Sequence, residues 1–306
     1  MTCKRLALLL SLLLFLGSGS SRAQPDEQGW VFSPLTGLSA PRLGMLYDEV
    51  FYAPFAGQSE IVADLPEDAA GESTYPVEDF LFENNLPRIG VGPEAGLEFR
   101  RRFGGRDDFF IGISAWEIGA SGRVSVVFPL QGELNNGAVY ERRAKFSYTQ
   151  YFLGWRHYLG DRSRRFKLYT NLGLNEVFDI DYKETHVFSF TSGAPAGFKR
   201  VVVYRAQATG LLLIQLGGGA ELRINERFSL SLEGAYAFGL RDVTLKGVEV
   251  KSDFNEGDRL ATMPAPLDNE AVSNDASVLS RDGLSRSTVY LNLDGWRVAA
   301  KLNVTF

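Results

Sequence analysis

Ionisable side chains recur at every second position in several segments of this 306-residue chain. In a strand, this spacing places them on one face, and the apolar residues between them fall on the other. Because an unpaired buried charge is costly, we expect the opposite charges on an interior face to pair. Such a fixed network would plug a narrow barrel, whereas pairs that exchange partners would gate a narrow pore. The predicted interior charges are Glu94, Glu98, Arg100, Arg156, Lys167, Glu221, Arg223, Glu233, Arg241, Arg297 and Lys301.

The two histidines are the side chains that general-base or triad chemistry would need. His157 lies beside Trp155 and Tyr158, which is typical of a membrane interface. His186 has acidic residues and Ser189 nearby, so a site there is a less favoured hypothesis. Neither histidine is followed two residues later by serine, as the histidine of lipid A deacylases is. We therefore predict a protein that is not an enzyme and has no cofactor or metal centre.

Two long polar segments predict an acidic surface. Residues 56–86 contain eight acidic and no basic residues, and residues 252–283 are also rich in acid. The acids lack the spacing of a calcium loop, so solvated loops are the simplest interpretation. Capture of a divalent cation or contact with a basic partner are the alternatives. The residues that we single out are Glu67, Asp68, Glu78, Asp79, Asp253, Glu256 and Asp258.

Composition excludes several classes of protein. With 45% hydrophobic and 23% charged residues, the chain is too apolar for disorder and too charged for a bundle of membrane helices. The 32 glycines, 22 phenylalanines and 12 tyrosines favour strands and tight turns. A single cysteine excludes a disulfide scaffold. The formal charge of −5 argues against a nucleic-acid partner.

Residues 1–23 have the features of a cleaved secretory signal peptide. Lys4 and Arg5 precede an apolar run that ends at Leu16, and small and polar residues follow as far as Ala23. The run is shorter than the ~20 residues that a spanning helix needs. Cleavage would leave 29 basic and 37 acidic residues, a charge of −8, and no cysteine.

The C-terminal segment 296–306 alternates strictly between an apolar and a mixed polar face. Ten steps of ~3.3 Å at a tilt near ~40° climb ~25 Å, the height of the apolar band of an outer-membrane barrel. Segments 89–99, 166–174, 212–222 and 228–240 repeat the pattern. A soluble sandwich would also alternate. We disfavour it because the hairpin arms are long and the polar faces are rich in glycine.

The links between these segments predict the topology. Short links at 104–108, 160–165 and 225–227 alternate with longer ones at 129–137, 191–197 and 252–283, after an early long link at 56–86. Short periplasmic turns and long outer loops are typical of outer-membrane barrels. We predict an all-β, transmembrane, antiparallel up-and-down barrel over residues 38–306, after a short periplasmic lead-in at 24–37. The predicted strands are 38–55, 87–103, 109–128, 138–159, 166–190, 199–223, 228–251 and 284–306. The first strand is the weakest of these, since residues 42–50 alternate poorly; if it fails, splitting 107–130 at Ser121–Gly122 is the route to an alternative count of ten strands.

The signal peptide, the eight-strand meander and the terminal strand WRVAAKLNVTF together resemble small bacterial outer-membrane barrels of the OmpA/OmpX type. The resemblance implies that the barrel-assembly machinery reads the terminal strand, from Trp296 to Phe306. It also implies an outer-membrane location among phospholipid and lipopolysaccharide. Such barrels include structural, adhesive, channel and enzymatic members, so the fold does not decide the activity.

We expect a structural or interaction barrel that carries acidic extracellular loops. The first alternative is a narrow gated channel for small solutes, with apolar solutes entering through a lateral gap near residues 211–222. A lipid-modifying or proteolytic enzyme is a less favoured alternative.

Overall fold

A closed antiparallel β-barrel forms the centre of the structure, which is a computed structural model. It describes residues 29–43, 91–103, 105–130, 133–192, 196–197, 199–208, 210–254, 257–259, 267–268, 277–279, 286–288 and 290–306. No helix that is long and apolar enough to cross a membrane occurs among them. The strands are β1 (Trp30–Pro41), β2 (Gly92–Phe103), β3 (Asp107–Leu130), β4 (Glu133–Tyr158), β5 (Phe166–Ser192), β6 (Lys199–Ala208), β7 (Leu211–Arg223), β8 (Phe228–Gly239), β9 (Val243–Thr244), β10 (Lys246–Phe254), β11 (Gly257–Arg259), β12 (Leu267–Asp268), β13 (Ser277–Leu279), β14 (Arg286–Thr288), β15 (Tyr290–Leu291) and β16 (Gly295–Thr305).

Eight strands close the ring in the order β1, β2, β3, β4, β5, β7, β8, β16 and back to β1. Every pair of neighbours in the ring is antiparallel. The prediction of an eight-stranded up-and-down barrel is therefore confirmed. The ten-strand alternative is wrong, because Ser121 and Gly122 pair with β4 without a break.

The first strand begins at Trp30, within the predicted lead-in at 24–37, so its predicted start at residue 38 is wrong. The alternation that marks the other strands is weak here. Val31 and Leu35 are buried inside the barrel, while Pro34 and Thr36 face outward. Both faces of β1 thus mix residue types. Most of the rest of the predicted strand 38–55 lies outside the described residues.

The predicted strand 199–223 consists of β6 and β7, which are separated by a local irregularity of the sheet. Val177 of β5 still pairs with β7, whereas Ile180 already pairs with β6. Between these pairs, Asp179 has a φ of 50° and Gly210 a φ of 79°, a left-handed conformation that few residue types other than glycine and aspartate adopt readily. As at a β-bulge, the extra residue reverses which side chains point inward. In β5, odd-numbered side chains face the interior before Asp179 and even-numbered ones after it.

The outer surface of the barrel changes polarity at this level. The part of the barrel between the short turns and the level of Asp179 is here called the lower zone. It exposes large apolar side chains around the whole ring. Beyond Asp179 lies the upper zone, where Glu117, Lys145 and Arg143 are largely exposed and paired with neighbouring charges. The exposed apolar residues of the lower zone include Trp30, Leu97, Phe99, Ile113, Trp155, Phe166, Leu168, Leu172, Leu174, Leu216, Leu222, Leu230, Leu232, Phe238, Trp296, Val298 and Leu302.

The interior has the reverse arrangement. The lower zone encloses charged side chains, and above them lies an apolar cluster, here called the upper core, around Trp116, Phe146 and Tyr182. The sequence did not predict this cluster. The upper core contains Leu43, Trp116, Ile118, Ala144, Phe146, Tyr148, Val177, Ile180, Tyr182, Ala206, Ala208, Leu211, Leu213, Leu245, Leu291 and Leu293.

The connections at the upper end differ from those predicted. Strand β3 ends at Leu130, and strand β4 begins at Glu133. Most of the predicted long link 129–137 is therefore strand. In the predicted loop 252–283, the end of β10 and β11 form a hairpin that places Asp253 opposite Asp258. Strands β12 and β13 of this loop form a small sheet with β14, which follows the loop. The remaining predicted acidic-loop residues, Glu67, Asp68, Glu78, Asp79 and Glu256, lie outside the described residues.

Candidate functional site

The charged interior of the lower zone is the candidate site, here called the ion network. Seven strands of the ring contribute to it, since the inward positions of each alternate with apolar outward ones. All members are less than ten percent exposed, and five carboxylates balance five cations. The members are Glu94, Glu98 and Arg100 of β2, Asp108 of β3, Arg156 of β4, Lys167 of β5, Glu221 of β7, Glu233 of β8, and Arg297 and Lys301 of β16.

At the centre of the ion network, two cations share two carboxylates. Arg156 Nη2 lies 3.2 Å from Glu98 Oε1 and 3.0 Å from Glu233 Oε2. Lys301 Nζ lies 2.6 Å from Glu98 Oε2 and 2.8 Å from Glu233 Oε2. The guanidinium of Arg156 also lies 4.2 Å from the centre of the Tyr169 ring. Removal of either cation therefore leaves both carboxylates with fewer partners.

A second cluster joins the ion network to the short-turn rim. Arg100 bridges two carboxylates, with Nη2 3.1 Å from Glu221 Oε2 and Nε 3.2 Å from Asp108 Oδ2. Lys167 Nζ approaches Glu221 Oε1 at 3.1 Å, and Arg162 Nη2 approaches Asp108 Oδ1 at 2.6 Å. Arg162 belongs to the turn between β4 and β5, so the turn covers this end of the interior.

A layer of amides separates the ion network from the upper core. Arg297 Nε lies 2.9 Å from Glu94 Oε2, and Gln150 Nε2 donates to Glu94 Oε1 at 3.2 Å. Asn175 Nδ2 donates in turn to Gln150 Oε1 and Gln215 Oε1. The cavity at this level measures about 20 Å³, room for a single water molecule at most. At the level of this layer, the described part of the interior therefore leaves no room for a larger solute.

Two predicted interior charges lie outside the ion network, and one member was missed. Arg223 and Arg241 are exposed and donate to the carbonyl oxygens of Ser163 and Gly210. The predicted interior position of both arginines is wrong. Each residue lies at or just past the end of its strand, where a long side chain can extend around the rim. The predicted short link 104–108 includes Asp108, yet the period of two in β3 places this residue on the inward face.

Close-packed glycines make room for inward aromatic rings. A Cβ atom on Gly219 would lie 2.6 Å from Tyr169 Oη, which donates to Glu233 Oε2 at 3.3 Å. On the outer face, Gly234 has nothing within 4 Å of such an atom. We expect Gly219→Val to destabilise the barrel by about 1–3 kcal/mol through overpacking. Urea unfolding followed by tryptophan fluorescence measures this, with Gly234→Val as the matched control; equal effects of both would contradict it.

The histidines differ in what surrounds them. His157 is 45% exposed, and its Nδ1 lies 2.8 Å from Asp107 Oδ1, which also accepts from Trp155 Nε1 at 2.9 Å. This rim position agrees with the predicted interfacial role. His186 pairs through its backbone with Arg142 and Val202, and its side chain lies outside the description. In the described ranges, no three His, Cys, Asp or Glu side chains are placed to hold a metal ion.

The predicted assembly signal lies on the outer face of β16 and at the chain end. Trp296 is 66% exposed, and its ring contacts that of Tyr236 edge-on at 4.8 Å. Phe306 is 79% exposed, and its backbone nitrogen donates to the carbonyl oxygen of Trp30 at 3.0 Å. Recognition of these residues by an assembly machinery stays a prediction.

Comparison with known proteins finds a likeness among solved structures. No family model matches the chain, and no curated protein matches it. Among solved structures, the chain is similar to the outer membrane protein OprG from Pseudomonas aeruginosa, with 12% sequence identity and a TM-score of 0.37. The match covers 91% of this chain and 96% of that chain.

Proposed function

We propose that the chain is an integral outer-membrane β-barrel protein whose interior is closed and whose function is non-enzymatic. Its lower zone spans the bilayer, and its upper zone and loops extend from the cell. The ion network and the upper core hold the barrel shut as a scaffold. The loops then act as a structural or interaction surface.

One observation supports this proposal most strongly: the outer face of the sheet changes from apolar to charged at the level where the ion network is followed by the upper core. One buried ion pair, Arg142 with Glu184, also lies inside the upper zone. Strands β3, β4 and β5 have 24, 26 and 27 residues, whereas a transmembrane strand needs only ~9–11. An apolar outer face suits lipid, and a charged outer face over an apolar core suits water. The two zones therefore fit a barrel that is partly in the membrane and partly above it.

The place of the acidic segments supports an interaction role. Residues 56–86 fall between β1 and β2, and residues 252–283 fall between the start of β10 and β16. Because β1 pairs with both β2 and β16, the strands of the ring that precede and follow the two acidic segments are neighbours. We propose that these segments attract divalent cations or a basic partner. Replacing Glu67, Asp68, Glu78 and Asp79 by their amides should weaken calcium binding measured by calorimetry; unchanged binding would remove this role.

The membrane location is tested by moving a charge between the two zones. Leu232 is 60% exposed on the lower zone. If this surface contacts lipid, Leu232→Arg should destabilise the barrel in a bilayer by about 2–4 kcal/mol. Val187→Arg, on the outer face of the upper zone, should change the stability by less than about 0.5 kcal/mol. Reversible urea unfolding in lipid vesicles measures both, and equal effects would place the lower zone in water.

The enzymatic alternative has its own test. If the chain does not act as an enzyme, His186→Ala and His157→Ala should leave its effect on lipid A and on peptide substrates unchanged. Mass spectrometry of the lipid A and of the peptides after incubation detects any such activity. Activity that the variants abolish would establish an enzyme.

A further inference from the structure

A concave apolar groove lies on the outer face of the lower zone, across β1, β16, β8 and β7. Its volume is about 720 Å³. Thr36, Ala220 and Ala300 have short side chains and form its floor, because no longer side chain covers the sheet there. The walls are longer side chains, namely Phe166, Leu222, Leu230, Leu232 and Leu302.

The groove crosses the seam at which the first and last strands meet. Between β1 and β16, Phe32 pairs with Val304 and Leu35 pairs with Lys301. The residues between these two positions form no backbone pair. Pro34 lies in this interval and has no N–H to donate. On the inner side, Ser33 Oγ donates to Asn303 Oδ1 at 2.8 Å and holds the seam together. The outer surface over the seam is thus recessed and apolar.

The strands that line the groove end at a cluster of exposed arginines. Arg165 precedes Phe166, Arg223 follows Leu222, and Arg227 precedes β8. The backbone of Arg223 donates to the carbonyl oxygen of Arg165 at 2.8 Å, which fixes two of them side by side. Glu226 is the acidic residue of the β7–β8 turn. The groove therefore runs from a basic rim into the apolar belt.

The acid of the neighbouring turn is already engaged. Asp161 accepts from the hydroxyl and the backbone nitrogen of Ser163 at 2.6 and 2.8 Å. These hydrogen bonds hold the pKa of the Asp161 carboxyl below its ordinary value. Asp161 therefore stays ionised, but Arg165, Arg223 and Arg227 outnumber Asp161 and Glu226, so a ligand at the rim meets a surface of net positive charge.

We propose that this groove is a specific binding site for an anionic phospholipid of the leaflet at the short-turn rim. One acyl chain lies in the groove, over Ala220 and Ala300. The phosphate accepts hydrogen bonds from Arg165, Arg223 and Arg227, because guanidinium groups bind phosphate oxygens with matching geometry. The inference rests on the membrane location proposed above.

The acyl-chain half of the site is tested with the full chain purified in detergent. A heat-dependent gel shift first verifies that each variant forms a barrel. Native mass spectrometry then measures retention of phosphatidylglycerol and of phosphatidylcholine with identical acyl chains. Ala220→Leu with Ala300→Leu fills the groove and should weaken retention of both lipids at least tenfold. Ala115→Leu makes the same change on the outer face of β3 and should leave retention unchanged.

The phosphate half is tested by Arg165→Gln, Arg223→Gln and Arg227→Gln together, with Arg106→Gln at the opposite side of the rim as the control. The triple variant should lose its preference for phosphatidylglycerol and keep its retention of phosphatidylcholine. Equal lipid retention by the wild type and the filled variant would overturn the proposal. If the wild type forms dimers and the filled variant does not, the proposal is also overturned, because the groove is then occupied by a second copy of the chain. Absence of the gel shift in the wild type would instead refute the barrel itself.

Discussion

Replacing Arg156 by leucine is expected to destabilise the folded barrel by about 3–5 kcal/mol, since it leaves buried charge uncompensated. Arg156 is fully buried and contacts both Glu98 and Glu233, which would then share Lys301 alone. Two carboxylates against one ammonium leave an excess negative charge at the centre of the ion network. The free energy of unfolding from urea titration in detergent measures the loss.

The same experiment contains its own control and its own rescue. Arg106→Leu removes an exposed guanidinium in the β2–β3 turn and should cost less than about 0.5 kcal/mol. Combining Arg156→Leu with Glu98→Leu restores charge balance around Glu233 and Lys301, so the double variant should be more stable than additivity of the two single changes predicts. A small effect of Arg156→Leu, or strict additivity, would show that the charges do not form one buried unit.

The second large effect is expected from Trp116→Ala in the upper core, at about 3–5 kcal/mol. Trp116 is 1% exposed, and its Nε1 donates to the carbonyl oxygen of Ser39 at 3.0 Å. Its ring packs against those of Tyr148 and Phe146, with centroids 5.1 and 5.9 Å away. Truncation removes these contacts and opens a cavity in the part of the barrel that closes the interior from above.

The comparison for this variant is an apolar residue of the outer face. Leu172 is 54% exposed in the lower zone, so Leu172→Ala should cost far less than Trp116→Ala when both proteins are unfolded in detergent by urea. Similar losses of unfolding free energy would mean that the upper core is not packed as described. If Trp116→Ala lowers the free energy of unfolding but keeps the heat-dependent gel shift, the barrel still forms and the lost stability belongs to the upper zone.

The lower zone could be predicted because its strands obey one simple rule. In β8 and β16, apolar side chains alternate with Ser, Glu, Arg or Lys, and only one assignment of faces is acceptable in lipid. The interior positions of Glu233, Arg297 and Lys301 follow directly from that alternation.

The upper core could not be predicted in the same way. A period of two tells which residues share a face but not which face is inside. In β3, Phe109 and Ile113 face outward, whereas Trp116 and Ile118 face inward, and all four are apolar. In β5, the conformation of Asp179 reverses the faces within a single strand, and the local sequence gives no turn signal there.

The central claim is that the barrel is closed, and single-channel recording in a planar lipid bilayer tests it most directly. The full chain is inserted after its folding has been verified by the heat-dependent gel shift. A barrel filled by the ion network and the upper core should show no conductance steps, as should the Arg106→Leu control. Reproducible steps from the wild-type protein would contradict the account, and their loss or enlargement in Arg156→Leu would identify the ion network as a gate.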